Sequence, residues 1–191
     1  MNEAEILAVL EDKGAVMRGH FRLSSGRHSD VFAQKFRVLE HPGIAARFGQ
    51  ELAAAFEGEF DVVASPAVGA VVLGFSTALA GGARFIFSER SDDAMAFRRG
   101  FEIQPHERVL VIEDVVTTGG SAAEVVQLVK AAGGDCVGIG TLIDRVDPSR
   151  PAELGAALKS LVKLESRSWD PGACPLCAED VPLDDPGSRR I

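Results

Sequence analysis

The run Val109-Leu110-Val111-Ile112-Glu113-Asp114-Val115-Val116-Thr117-Thr118-Gly119-Gly120-Ser121 organises the reading of the whole chain. Its four leading apolar residues read as a buried parallel strand, and open α/β sheets bind ligands at the carboxyl ends of such strands. Two carboxylates follow, then a loop of small residues that runs into a helix opening near Ser121. Glycines there leave backbone N–H groups free to converge on an anion, and the helix N-terminus adds partial positive charge. The result is a phosphate cradle without a lysine. A Walker loop would end in Gly-Lys-Ser/Thr, and Gly138-Ile139-Gly140 lacks the third glycine of a dinucleotide fingerprint. Carboxylates accept hydrogen bonds from vicinal hydroxyls, so an acidic pair beside this cradle points to a sugar phosphate. Taken alone, Glu113-Asp114 would more often be an acidic pair capping a helix. The thirteen-residue pattern reverses that preference.

Outward from this stretch the chain alternates. Residues 60–64, 83–87, 108–112 and 137–143 read as short apolar strands, with helices expected over 42–56, 67–79 and 121–132. Strands alternating with helices predict a mostly parallel, twisted sheet flanked by helices. Residues 3–12 form an amphipathic helix ended near Gly14, and two strands, 16–23 and 31–36, surround the turn Ser24-Ser25-Gly26-Arg27. Between Ser88 and Gln104 a polar stretch reads as a mobile loop or hairpin inserted between core strands. A tail from Trp169, carrying Pro171, Pro175, Pro182 and Pro186, reads as irregular and packed on the outside. One domain is expected, with an N-terminal hood over about residues 1–40, a core over 41–165 and the tail over 166–191.

Composition narrows the function classes. Hydrophobic residues make up 46% and charged residues 25% of the 191, which excludes disorder and leaves enough for a core. A net charge of −8 argues against a nucleic-acid or anionic-lipid surface, but a local pocket can still hold a small anion. Residues 62–83 carry no charge, yet Ser65-Pro66, Gly69, Gly74 and Gly81-Gly82 break them into strand, loop and helix, so no membrane span is expected. The acidic start, Met1-Asn2-Glu3-Ala4-Glu5, has no secretory n-region, and three cysteines suit a reducing cytoplasm.

The thirteen-residue run resembles the phosphoribosyl-pyrophosphate (PRPP) signature of type I phosphoribosyltransferases: four apolar residues, an acidic pair, two apolar residues, then Thr-Thr-Gly-x-Ser. Residues 19–30, Gly-His-Phe-Arg-Leu-Ser-Ser-Gly-Arg-His-Ser-Asp, are similar to the amino-terminal region of the orotate-specific branch. Ala64-Ser65-Pro66-Ala67-Val68-Gly69-Ala70 resembles the family's pyrophosphate loop, and Leu142-Ile143-Asp144-Arg145 its orotate-binding strand end. The resemblance spans roughly residues 14–146 in the family's order. It implies the type I phosphoribosyltransferase fold and Mg²⁺-dependent transfer from PRPP to orotate, giving orotidine 5′-monophosphate and pyrophosphate. Two other readings stay open: a purine base such as xanthine as acceptor, or a PRPP-binding regulator without catalysis.

By the resemblance, Glu113 and Asp114 hold the ribose hydroxyls and favour the developing positive charge. Val115, Val116, Thr117, Thr118, Gly119, Gly120 and Ser121 bind PRPP, the last five at its 5′-phosphate, while Ser65, Pro66, Ala67, Val68 and Gly69 bind its pyrophosphate. Arg145 pairs bidentately with the orotate carboxylate, aided by Thr117 and Ser24. As an isolated arginine, Arg145 is equally a salt-bridge partner of Asp144 or Asp147. Arg90 is the base in the 88–95 loop that would contact pyrophosphate, or else part of a solvated face with Arg98 and Arg99. In the family this loop reaches a neighbouring subunit, so a homodimer with segment 88–98 crossing is expected. Mg²⁺ is expected on PRPP oxygens and water, with no direct side-chain ligand. Ser24 stands where the orotate branch commonly has lysine, so a pyrimidine contact is lost there or supplied elsewhere; Lys35 lies nearby in sequence.

Two features stand outside this pattern. Cys174-Pro175-Leu176-Cys177 offers half of a structural zinc site, which needs four ligands. There is no second Cys-x-x-Cys and Cys136 falls in a core strand, so two copies across a dimer would be required; otherwise the pair is a tail turn with inert thiols. His20 and His28 flank the amino-terminal turn, where they would touch substrate or sit as buried structural histidines.

Overall fold

The computed structural model describes residues 1–23, 25–91, 94–147, 149 and 151–186. A first helix, α1 (Glu3–Asp12), starts on a capping box in which the Asn2 side chain and the Glu5 side chain each accept the other's backbone N–H. An antiparallel hairpin follows, β1 (Val16–Arg22) and β2 (His28–Ala33), then the single turn α2 (Phe36–Leu39) and helix α3 (Pro42–Ala55). The alternating part runs β3 (Val62–Pro66), α4 (Val71–Gly81), β4 (Arg84–Ser91), β5 (Ala94–Phe97), β6 (Arg108–Val116), α5 (Gly120–Ala131) and β7 (Asp135–Asp144). The chain closes with β8 (Leu158–Lys163), β9 (Ser168–Trp169), a 3₁₀ turn (Pro171–Ala173) and the four-residue α6 (Pro175–Ala178).

Six strands form one sheet in the order β5-β4-β3-β6-β7-β8, parallel except for the β4–β5 hairpin at its edge. The period-2 alternation of β6 divides the core. Leu110 and Ile112 join Phe48, Leu52 and Leu73 of α3 and α4 on one face. Val109 and Val111 join Val125, Val126 and Val129 of α5 on the other. The flanked, mostly parallel sheet is the expected class. Its topology also locates a crevice: β3 connects outward to β4 on one side and β6 outward to β7 on the other. The strand order therefore switches between β3 and β6, where helices on opposite faces leave a gap at the carboxyl ends.

Several elements differ from the sequence reading. The second strand spans 28–33 rather than 31–36, because the hairpin closes early, with Leu23 N–H donating to Arg27 O at 2.8 Å. The helix expected from residue 67 starts at Val71: Ala67 N–H still donates sideways to Ser88 O of β4, leaving 67–70 as a loop. Strand β6 continues four residues past Ile112, since Val115 and Val116 pair with Ile143 and Asp144 of β7, so the acidic pair lies within the strand. The polar stretch expected as a loop or hairpin pairs antiparallel, Ser88–Ser91 against Ala94–Phe97. The tail is tied down more firmly than its prolines suggested. Its β9 pairs with β2, and Arg27 clamps it through Ser168 O (2.8 Å) and Asp170 Oδ1 (2.6 Å). Among the described residues no helix is long and apolar enough to cross a membrane.

Candidate active site

Around the switch point the structure gathers three loops. Strand β6 brings Glu113 and Asp114 to its carboxyl end, both buried. Thr141 Oγ1 of β7 donates to Asp114 O (3.2 Å), and Asp114 Oδ1 accepts Val115 N–H (2.7 Å), which pins the aspartate. Its other oxygen, Oδ2, is ion-paired with Lys35 Nζ at 2.7 Å but accepts no aligned hydrogen bond. Burial, reinforced by the neighbouring Asp114 charge, pushes the Glu113 pKa up to about 8.

The 67–70 loop lies directly on this carboxylate. A Cβ at Gly69 would stand 2.2 Å from Asp114 Oδ2 and 2.8 Å from Lys35 Nζ, so only glycine lets the loop approach. Among the described residues the Val68 and Gly69 N–H groups donate no hydrogen bond. Ser65 Oγ, at the end of β3 and close to Gly74 of α4, is buried with no hydrogen-bond partner among the described residues.

Past β6, Thr117 and Thr118 are exposed and Gly119 takes a left-handed conformation (φ 77°) as the residue before α5. No side chain caps this helix, and its first backbone bond is Ala123 N–H to Gly119 O at 2.9 Å. Among the described residues the N–H groups of Thr118, Gly119, Gly120 and Ser121 find no acceptor and are open to an external one. Val115 and Val116 bury their side chains in the two core clusters, so only their backbone faces this region.

Arg145 sits beside the cradle because its N–H donates to Val116 O (2.8 Å) across the β6–β7 ladder. Its guanidinium donates to Ser166 Oγ (2.9 and 3.2 Å) and pairs with no carboxylate within 4.0 Å among the described residues, neither Asp144 nor Asp147. Burial pushes its pKa down, with the Asp30 charge opposing. Arg90 is pinned on its own chain: it ion-pairs with Glu124 of α5 at 2.9 Å, and the same carboxylate accepts Met95 N–H. Ser24, Asp92 and Asp93 lie outside the described residues. His20 and His28 are not part of this crevice arrangement; they are buried against the tail cysteines.

Lys35 is the residue that sequence reasoning left unplaced. No motif marks it. A clue was available in its position, two residues past the end of a hairpin leading into a helix, in a chain whose expected lysine at position 24 is serine.

A family model described as "Phosphoribosyl transferase domain" matches residues 37–173, which include the cradle, the 67–70 loop and Arg145. The chain belongs to the phosphoribosyltransferase family. Among curated proteins, the orotate phosphoribosyltransferase of Caldanaerobacter subterraneus subsp. tengcongensis is 44% identical over 192 residues, covering all of both chains. Among solved structures, the orotate phosphoribosyltransferase from Aeropyrum pernix is 27% identical with a TM-score of 0.67, covering 83% of this chain and 93% of that one. The Mycobacterium tuberculosis H37Rv enzyme in complex with inorganic phosphate is 27% identical with a TM-score of 0.64, covering 85% and 95%.

Proposed function

We propose that this phosphoribosyltransferase transfers the phosphoribosyl group of PRPP to orotate, giving orotidine 5′-monophosphate and pyrophosphate for pyrimidine nucleotide synthesis. The observation that carries the choice of base is Arg145. A desolvated guanidinium with no carboxylate partner among the described residues, fixed beside the cradle, calls for an anionic substrate group, and orotate's carboxylate matches its fork bidentately. A purine base has no such group. The name borne by the 44% identical relative agrees.

In this reading N1 of orotate attacks the anomeric carbon as the bond to the pyrophosphate oxygen breaks, pyrophosphate leaves with the electron pair, and the N1 proton passes to the departing pyrophosphate or to water. Positive charge develops on the ribosyl group between them. The N–H groups of residues 118–121 take the 5′-phosphate, and those of Val68 and Gly69 take pyrophosphate. Asp114 Oδ2, buried beside Lys35 and accepting no aligned hydrogen bond, takes a ribose hydroxyl through its remaining lone pair. Glu113 carries its proton at neutral pH, so the pair presents its charge on the Asp114 side and avoids two adjacent anions. Lys35 orients Asp114 and lies close enough to the Gly69 loop to meet pyrophosphate. Asp114 offers only oxygen donors, as Mg²⁺ requires, and would hold the ion's water shell; the bound ion would supply charge neutralisation for the leaving group.

A homodimer is supported by the exposed apolar stripe Val72, Phe75 and Leu79 on α4, adjoining Val68 of the loop. For Arg90 to serve a neighbouring site, its pair with Glu124 has to open. A cytoplasmic setting is in keeping with three free cysteines.

The test follows orotate's ultraviolet absorbance with Mg²⁺ and PRPP. Turnover of a purine instead, or PRPP binding without turnover of any base, would overturn the assignment. Arg145→Lys should raise the KM for orotate ~10–100-fold, the ~1.5–3 kcal/mol of hydrogen bonding to a charged group, with PRPP affinity nearly kept. Equal losses for both substrates would refute the placement of Arg145.

A further inference from the structure

Away from the crevice, four residues converge from two distant parts of the chain. His20 lies on β1 and His28 opens β2, so the hairpin brings the rings edge to face, with centroids 4.9 Å apart. Cys174 precedes α6 and Cys177 lies within it. The donor atoms are close: His20 Nε2 to His28 Nδ1 2.9 Å, Cys174 Sγ to His20 Nε2 3.4 Å, Cys177 Sγ to His20 Nε2 3.7 Å and Cys177 Sγ to His28 Nδ1 3.3 Å. One donor atom from each residue fits within 4.8 Å of all the others. We propose that His20, His28, Cys174 and Cys177 form an intrachain tetrahedral zinc site that staples the tail to the amino-terminal hairpin.

Three observations carry this. The spacing is that of a coordination shell: with Zn–N about 2.05 Å and Zn–S about 2.3 Å, a tetrahedron sets N···N near ~3.3 Å and N···S near ~3.6 Å. Next, the His20 tautomer is decided. Its Nδ1 lies 2.8 Å from Val181 O, which can only accept, so Nδ1 bears the hydrogen and Nε2 presents its lone pair to the cluster. A backbone carbonyl on the second ring nitrogen is the usual support of a metal-bound imidazole. Charge balance is the third. His20, His28 and Cys174 are buried, and two thiolates with one divalent ion make a neutral centre that such burial tolerates. Two sulfurs and two imidazoles select Zn²⁺ over Mg²⁺ or Ca²⁺, which demand oxygen.

The surrounding contacts give the staple its purpose. Asp184 N–H donates to His20 O and Asp184 O accepts Arg22 N–H, both at 2.8 Å, so the tail also zips along β1. A metal here clamps both ends of this junction and, through His28, fixes the turn that carries Arg27.

The experiment measures the metal content of the full-length protein purified in the presence of Zn²⁺, and the visible d–d spectrum after Co²⁺ exchange. One zinc ion per chain and a tetrahedral cobalt spectrum with thiolate charge transfer are expected. Cys177→Ser, at the exposed member, and His28→Asn should each weaken zinc affinity by more than the roughly 10–100-fold that an outer partner is worth. Should either variant fold poorly, chelation of the wild type serves instead and should speed proteolysis of the tail. Four results would overturn the proposal: metal-free protein with titratable thiols, a Cys174–Cys177 disulfide in reduced preparations, half an ion per chain, or zinc retained by both variants.

Discussion

Replacing Gly69 by alanine adds one methyl group at the point where the 67–70 loop meets the acidic pair. The new Cβ would lie 2.2 Å from Asp114 Oδ2, 2.8 Å from Lys35 Nζ and 3.1 Å from Lys35 Cε. Carbon–oxygen contacts settle no closer than about 3.3 Å, so roughly 1 Å must be found somewhere. Lys35 can swing aside as the far end of a flexible chain. Asp114 cannot, because it is buried and its Oδ1 is held by Val115 N–H. Either the carboxylate or the loop moves, and a misplacement of ~1 Å costs about 100-fold in rate, or ~2.7 kcal/mol of barrier. Global stability should change little, since Gly69 is only half buried and its backbone is not left-handed. The assay is kcat/KM for PRPP from orotate consumption, with the thermal midpoint as the control for folding. A double-mutant cycle with Asp114→Ala tests the route: once the carboxylate is gone, Gly69→Ala should cost far less. A folded Gly69→Ala protein with kcat/KM within about twofold of wild type would refute the proposed contact between loop and aspartate.

The raised Glu113 pKa sets a pH dependence of stability. With a folded value of about 8 against the ordinary 4.5, the native state holds a proton that the unfolded chain releases between those values. This group's contribution is thus fully present below pH 4.5 and is lost as pH rises through 8. Glu113→Gln should match wild type in urea unfolding near pH 5 and exceed it by a few kcal/mol, ~3–5, near pH 9; a gap independent of pH would contradict this. At Gly119 the left-handed backbone (φ 77°) and a Cβ position 2.2 Å from Leu154 Cδ2 penalise any side chain. Gly119→Ala should cost ~2–4 kcal/mol of stability and raise the KM for PRPP, with Leu154→Ala recovering the crowding but not the backbone part. Full recovery in that double variant would show that the backbone conformation is unimportant.

The cradle was legible because its parts are contiguous. Apolar strand, acids, glycines and helix start occupy thirteen consecutive residues, and local geometry alone presents their N–H groups to an anion. Arg145 was legible for a similar reason: it follows directly on an apolar strand, and strand ends are where α/β sheets bind. Lys35 was not, since nothing around it in the chain tells that β6 will carry Asp114 to within 2.7 Å of its ammonium group. Nor does periodicity reveal that Arg90 is spoken for by Glu124, 34 residues on.

By itself the sequence determined the sheet class, the alternation of strands and helices between residues 42 and 143, the glycine-rich loop and the acidic pair, because each depends on neighbours within a few turns of chain; the edge strand β8 (Leu158–Lys163) went unread. Tertiary structure alone decided which separate segments meet. It laid Gly69 against Asp114, left Arg145 without a carboxylate partner among the described residues, and closed a hairpin so that two histidines 8 residues apart face two cysteines over 140 residues away. Half a metal site in the tail became four converging donors in one chain, since donor sets are a matter of distance in space, which sequence spacing does not encode.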